Sequence, residues 1–100
     1  MDAGAVITNL ETNQKLATGN KDMAPKFLIL DPTYTFSVPA NQTAAGTADI
    51  MSHIFEVYFS NTSGAYVQNR MAESLLKTCI NYGEKAIADS KDYEARSNLM

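Results

Sequence analysis

The pattern of apolar residues changes at Pro39, and this change constrains the fold more than any other feature of the chain. Before it, runs rich in β-branched and large apolar residues predict strands over residues 4–10 and 26–30, with a returning strand over residues 15–17 that completes a hairpin. After it, apolar residues recur at helical spacing. Proline fits the first turn of a helix, because an N–H at that position has no intrahelical partner. The sequence therefore predicts an α+β chain that is mostly α, with a boundary near residues 37–40.

The run KFLIL at residues 26–30 is apolar at four of its five positions. Such a run favours a strand that is buried on both faces, as in a parallel sheet covered by helices. Two or three short strands cannot build a covered sheet by themselves. The chain also starts just before a strand and stops inside a helical pattern. We therefore expect a piece of a larger protein, in which residues 1–38 end an α/β domain and residues 39–100 begin a helical one.

Three helices are predicted after Pro39. The first covers residues 47–59, with Gly46 as a possible break before it, the second covers residues 65–88, and the third begins near Asp92. The predicted apolar stripe of the second helix consists of Val67, Met71, Leu75, Cys79, Tyr82 and Ile87.

Charge and cysteine content exclude several classes of function. The net charge is -3 and no cluster of lysine and arginine occurs, which argues against nucleic acid or an anionic membrane as a partner. The single cysteine, Cys79, cannot form an internal disulfide and suits a reducing compartment, and we expect it to be a small buried apolar residue. The first residues do not resemble a signal peptide, and no run reaches the ~18 apolar residues of a membrane span. The cytoplasm is therefore the expected location.

The stretch NQTAAGTADIMSHIFE, residues 41–56, contains the only histidine of the sequence. Asp49 lies four residues before His53 and Glu56 lies three after it, so a helix would place all three on one face. One interpretation is a surface ion pair, worth a few tenths of a kcal/mol. The other is half of a metal site, with a carboxylate oxygen and an imidazole nitrogen directed at one divalent ion. The spacing by itself favours the ion pair, because it is short and common, and two ligands do not complete a site.

A longer string of residues points to a known family. GAVIT near the start, FLILDPTYTFSVPANQTAAGTADIMSHIFEVYFS after it, and QNRMAESLL in the second predicted helix together resemble the middle of an iron-containing (group III) alcohol dehydrogenase. The resemblance covers essentially the whole chain and is strongest to the butanol dehydrogenase and aldehyde reductase branch. It implies a fold similar to that of dehydroquinate synthase, with the end of the α/β dinucleotide-binding domain over residues 1–38. Residues 39–100 would then begin the all-helical metal-binding domain, and the active site would lie in the cleft between the two.

The resemblance also implies a metal site that holds Fe2+ or Zn2+ through one aspartate and three histidines. By the motif, Asp49 is that aspartate and His53 is the first histidine, and the family has the other two histidines further along its chain. Glu56 matches a family acid that would orient a ligand or cap a neighbouring helix. For Glu56 an ordinary ion pair within the helix stays equally open.

The resemblance assigns NAD or NADP as the hydride carrier and places its glycine-rich phosphate loop before Met1. Ser37 stands where the family usually has threonine, which keeps a hydroxyl donor, and Asp2 stands where asparagine is usual, which puts its role in doubt. Lys15 matches a family lysine that contacts the cofactor ribose, although from composition it would be a solvated charge on a hairpin. The implied cofactor-binding residues are Asp2, Lys15, Tyr34, Ser37, Val38 and Gln42.

The function implied for the parent protein is hydride transfer between the nicotinamide and a primary alcohol or aldehyde, such as butanol or butanal. We expect such a parent to form a homo-oligomer, a dimer in particular, and the 100-residue chain by itself to be inactive. Two alternatives stay open at this point. One is a helical fragment that associates with itself through exposed apolar patches. The other is a different dehydroquinate-synthase-like enzyme, such as a glycerol dehydrogenase.

Overall fold

The computed structural model describes residues 3–100, which form a β-hairpin followed by a group of three helices. The mostly helical α+β fold predicted from the sequence is confirmed. The strands are β1 (Gly4–Asn9) and β2 (Gln14–Gly19), and the helices are α1 (Ala40–Tyr58), α2 (Tyr66–Ala88) and α3 (Tyr93–Leu99). Two short 3₁₀ helices, Lys21–Met23 and Pro32–Thr35, lie between the hairpin and α1.

The hairpin is antiparallel, and its register places Gly4 opposite Gly19 and Thr8 opposite Lys15. Asn9 stabilises the turn, because its side-chain oxygen accepts hydrogen bonds from the backbone N–H groups of Glu11, at 2.9 Å, and Thr12, at 3.3 Å. The returning strand is therefore confirmed, although it is longer than the three residues predicted.

The strand predicted over residues 26–30 is wrong for this chain. These residues have no regular structure, and Phe27 and Ile29 are 91% and 90% exposed. A strand needs a neighbour for its backbone hydrogen bonds. Among the described residues the only sheet is the two-stranded hairpin, which does not pair with this run. The apolar pattern predicts burial, but within residues 3–100 this run is exposed.

A capped turn leads from this run into the helices. The Asp31 side chain accepts hydrogen bonds from the Thr33 hydroxyl, at 2.7 Å, and the Thr33 backbone N–H, at 3.0 Å. These bonds favour the carboxylate, the hydroxyl bond most, and they hold the pKa of Asp31 below its ordinary value. Pro32 follows at the first position of the 3₁₀ helix and is buried.

Helix α1 begins at Ala40, seven residues before the predicted start, and continues through Gly46 without a break. Pro39 is the residue before the helix, and its carbonyl accepts the first helical hydrogen bond, from the Thr43 N–H at 2.9 Å. A glycine inside a helix costs about 1 kcal/mol relative to alanine, which a helix of 19 residues tolerates. The predicted break at Gly46 is therefore absent.

The buried face of α2 is built from small residues and differs from the predicted stripe. Val67, Met71 and Leu75 are each more than half exposed, whereas the burial predicted for Cys79 is confirmed. Small side chains let α1 and α2 approach closely, and a Cβ placed on Gly83 would lie 2.9 Å from Thr47 Cγ2. The buried residues of α2 are Ala72, Cys79, Gly83 and Ala86.

Polar contacts join the helices outside this close seam. The Tyr58 hydroxyl at the end of α1 donates to Glu73 Oε1 of α2, at 3.2 Å, and Arg70 Nη2 binds the same oxygen at 2.6 Å. At the other end of α2, the Tyr82 hydroxyl donates to Glu94 Oε1 of α3, at 3.0 Å. No helix within residues 3–100 is long and apolar enough to cross a membrane.

The close seam makes a prediction about the two helical glycines. Gly83→Ala forces a methyl group against Thr47, a β-branched side chain with little rotamer freedom. Gly46→Ala is the matched control, because nothing lies within 4 Å of its added Cβ. We expect the Gly83 variant to be less stable than the Gly46 variant by about 1–3 kcal/mol, measured as the free energy of unfolding in urea. Equal free energies of unfolding for the two variants would show that the contact between Gly83 and Thr47 has room for a methyl group.

Candidate metal and cofactor site

Helix α1 presents Asp49, His53 and Glu56 on one face. His53 Nε2 lies 3.6 Å from Asp49 Oδ2, and His53 Nδ1 lies 3.8 Å from Glu56 Oε2. Both distances are too long for direct hydrogen bonds. The three side chains are between 73% and 81% exposed, so solvent or an ion can reach them. The structure thus brings the two predicted ligands together on an accessible face.

The separation of Asp49 and His53 fits a shared cation. Bonds of about 2.0–2.2 Å from one ion can reach two donor atoms up to about 4.2 Å apart, and the observed separation is smaller. A carboxylate oxygen beside an imidazole nitrogen suits Fe2+ or Zn2+. Within residues 3–100, no three or more His, Cys, Asp or Glu side chains are grouped so that they could hold a metal. A cation site built on Asp49 and His53 would therefore need ligands in addition to the side chains of residues 3–100.

An apolar groove runs along the seam between α1 and α2, beside this pair. Its volume is about 460 Å³, and His53 stands at its edge. The face of α1 that carries Asp49 and His53 lies next to the groove because Ile54, which lines the groove, follows His53 and is rotated from it by about 100° around the helix axis. The other residues that line the groove are Ile50, Ile54, Val57, Gln68, Met71, Ala72 and Leu75.

The predicted cofactor residues fall on two parts of the fold. Tyr34 lies in the second 3₁₀ helix, Ser37 and Val38 follow it, and Gln42 lies in the first turn of α1. Tyr34, Ser37 and Gln42 are exposed and Val38 is half-buried, so this segment presents polar groups to its surroundings. Lys15 lies on the hairpin, at an exposed position of β2. Asp2 lies outside the described residues.

Sequence analysis did not identify Arg96, which is 5% exposed and lies beneath this segment. Its Nη1 donates to Thr43 Oγ1 at 3.0 Å, and its Nε donates to the Ser90 carbonyl at 3.1 Å. Its Nη2 donates to the carbonyls of Ala86, at 3.4 Å, and Val38, at 3.5 Å. Helical spacing puts Arg96 on one face of α3 with Tyr93 and Leu99, but Tyr93 is 58% exposed, so this spacing does not indicate that Arg96 is buried.

Comparison with known proteins identifies the family. Residues 43–100 match the model of the Fe-containing alcohol dehydrogenase family, C-terminal. The chain belongs to the iron-containing alcohol dehydrogenase family. This confirms the resemblance seen in the sequence, and the members that it matches are oxidoreductases.

Relatives of known activity match along the whole chain. It is 70% identical to NADH-dependent butanol dehydrogenase B of Clostridium acetobutylicum and 66% identical to butanol dehydrogenase A of the same organism. In both cases the match covers 100% of this chain and 26% of the relative. The chain thus spans about a quarter of the length of these relatives.

Two solved structures of the family share the fold of this chain. The substrate- and cofactor-free aldehyde reductase YqhD of Escherichia coli matches with a TM-score of 0.89 and 39% identity, over 98% of this chain and 26% of that one. NADH-dependent butanol dehydrogenase A of Thermotoga maritima matches with a TM-score of 0.86 and 40% identity, over 99% of this chain and 25% of that one.

Proposed function

We propose that this chain is a segment of a metal-dependent, NAD(P)-linked alcohol dehydrogenase that transfers a hydride between the nicotinamide and a primary alcohol or aldehyde. The observation that carries the proposal is the pair Asp49 and His53, one helical turn apart, with donor atoms 3.6 Å from each other on an exposed face. The relatives named butanol dehydrogenase and aldehyde reductase support butanol and butanal as the substrate class. Those named NADH-dependent support NADH as the reductant.

Asp49 and His53 would hold the cation, which supplies Lewis acidity to the substrate oxygen when it is bound. Asp49 contributes negative charge and His53 a neutral nitrogen, and helix α1 fixes the distance between them. Glu56 faces the opposite ring nitrogen of His53, at 3.8 Å. In this proposal Glu56 accepts a hydrogen bond from His53 Nδ1–H, through a small rotation or one water, and so leaves the Nε2 lone pair on the side of Asp49. The family description favours iron, and the donor pair suits zinc equally.

We further propose that residues 1–38 end a nucleotide-binding domain and that residues 39–100 begin a helical one. Two observations support this division. The match to the C-terminal family model starts close to the second part, at residue 43. The apolar run around Phe27 and Ile29 is exposed, as expected for a segment that other parts of a larger protein cover.

The same proposal assigns the segment from Tyr34 to Gln42, together with Lys15, to the cofactor side of the cleft. The exposure of Tyr34, Ser37 and Gln42 supports it, because these groups are free to meet a ligand. The dimer and the cytoplasmic location stay predictions.

The metal pair is tested by substitution in the complete enzyme that contains this chain. Asp49→Asn and His53→Gln each remove a ligand, so we expect both to lose bound metal and to lower butanal reduction by at least about 100-fold. Glu56→Gln should cost about tenfold, because it disturbs only the orientation of His53. Metal analysis and NADH oxidation measure the two effects.

Glu84→Gln is the matched control, an exposed carboxylate on α2 that should change neither quantity. Full metal content and full activity in both ligand variants would contradict the proposed centre.

The isolated 100-residue chain should show no dehydrogenase activity, because it supplies two metal ligands and a part of the cofactor face. Purified chain mixed with Zn2+ or Fe2+, NADH or NADPH, and butanal provides the test. Light scattering on the same sample shows whether exposed apolar residues such as Phe27 and Ile29 drive self-association. Butanal reduction above the rate of a buffer blank would contradict this prediction.

A further inference from the structure

Arg96 connects parts of the chain that are far apart in sequence. Its guanidinium binds Thr43, 53 residues away, and Val38, 58 residues away, while it also binds the carbonyls of Ala86 and Ser90 near the end of α2. Only 5% of the residue is exposed. The Arg96 side chain on α3 therefore links the start of α1 with the end of α2.

Within residues 3–100, the charge of Arg96 is compensated by hydrogen bonds without a carboxylate. No ion pair of Arg96 forms within the part of the chain that the structure describes. Three of its four acceptors are backbone carbonyls, and that of Ala86 belongs to the last turn of α2, where carbonyls lack helical partners and the helix dipole is negative. A buried charge is costly unless its hydrogen bonds are made, so we expect the loss of any acceptor to destabilise the conformation that Arg96 holds.

Two of these acceptors, Val38 and Thr43, belong to or adjoin the segment that we assign to the cofactor, Val38 within it and Thr43 directly after it. Val38 precedes Pro39, Thr43 follows Gln42, and the Thr43 N–H closes the first turn of α1 on the Pro39 carbonyl. Holding these two points restricts the directions in which the neighbouring Ser37 and Gln42 side chains leave the backbone. Thr43 lies in the first turn of α1, more than one turn before Asp49, so the contact acts on the start of the helix and not on the predicted metal ligands.

We propose that Arg96 is a positioning residue for the nicotinamide cofactor, which acts by holding the segment between Val38 and Thr43 in its binding conformation. This inference rests on the proposed function. It gives Arg96 of α3 an effect on cofactor affinity, and Arg96 is not among the cofactor-binding residues predicted from the sequence.

The test uses the complete enzyme and three variants. Arg96→Lys keeps the charge but cannot reach the four acceptors with one ammonium group. Thr43→Val removes the hydroxyl acceptor while nearly keeping the side-chain shape, and Thr43→Ser restores the hydroxyl. Arg70→Lys is the control, since Arg70 is half exposed and pairs with Glu73 at the other end of α2.

We expect Arg96→Lys and Thr43→Val to raise the Kd of NADH, measured by fluorescence titration, and its KM by about tenfold. The metal content and the kcat at saturating NADH should stay within about twofold, since neither change removes a metal ligand. Thr43→Ser and Arg70→Lys should bind NADH like the wild type. A role limited to general stability would lower metal content, kcat and NADH affinity together, and that result would overturn the inference.

The inference and the proposed function fail in different ways. If the wild-type enzyme binds NADH and folded variants bind it equally well, the inference about Arg96 is wrong and the proposed function stands. If the wild type binds neither NADH nor NADPH, the proposed function is wrong and the inference falls with it. If Arg96→Lys does not fold, the Kd of NADH for Thr43→Val compared with that for Thr43→Ser tests the inference, and equal values would overturn it.

Discussion

The buried guanidinium of Arg96 is the interaction on which the arrangement of the helices depends. Apolar packing between α1 and α2 is made by small residues, which let the two helices approach closely. Hydrogen bonds are directional, and four of them leave Arg96 toward the start of α1 and the end of α2. The helix that carries Asp49 and His53 is therefore held in one orientation relative to the segment that precedes it.

The close approach of α1 and α2 explains why the predicted ligands are exposed. Thr47 faces Gly83 at the seam, so Asp49 and His53 lie to the side of this contact, where His53 borders the groove between α1 and α2. Both ligands are then free to meet a cation, and the larger apolar side chains at the sides of the seam, such as Met71 and Leu75, line an open groove. The butanol dehydrogenases that this chain matches are about four times its length, and in our proposal residues of such a longer protein cover the groove and supply the other metal ligands.

The features that the sequence predicted correctly depend on local physics. Helical spacing put Asp49 and His53 on one face, and the β-branched run near the start formed the hairpin. The strand predicted over residues 26–30 is absent because no strand among residues 3–100 pairs with that run, and an apolar pattern indicates burial without identifying the neighbour. Arg96 was missed because its acceptors are backbone carbonyls and a hydroxyl far along the chain, which leave no charge pattern in the sequence.

The central claim is that Asp49 and His53 bind one cation on an exposed face of α1. X-ray diffraction from crystals of the complete enzyme, recorded at the iron or zinc absorption edge, tests it most directly. The account predicts an anomalous peak within about 2.0–2.2 Å of both Asp49 Oδ and His53 Nε2. A peak that is bound by other residues, while these two side chains point apart, would contradict it.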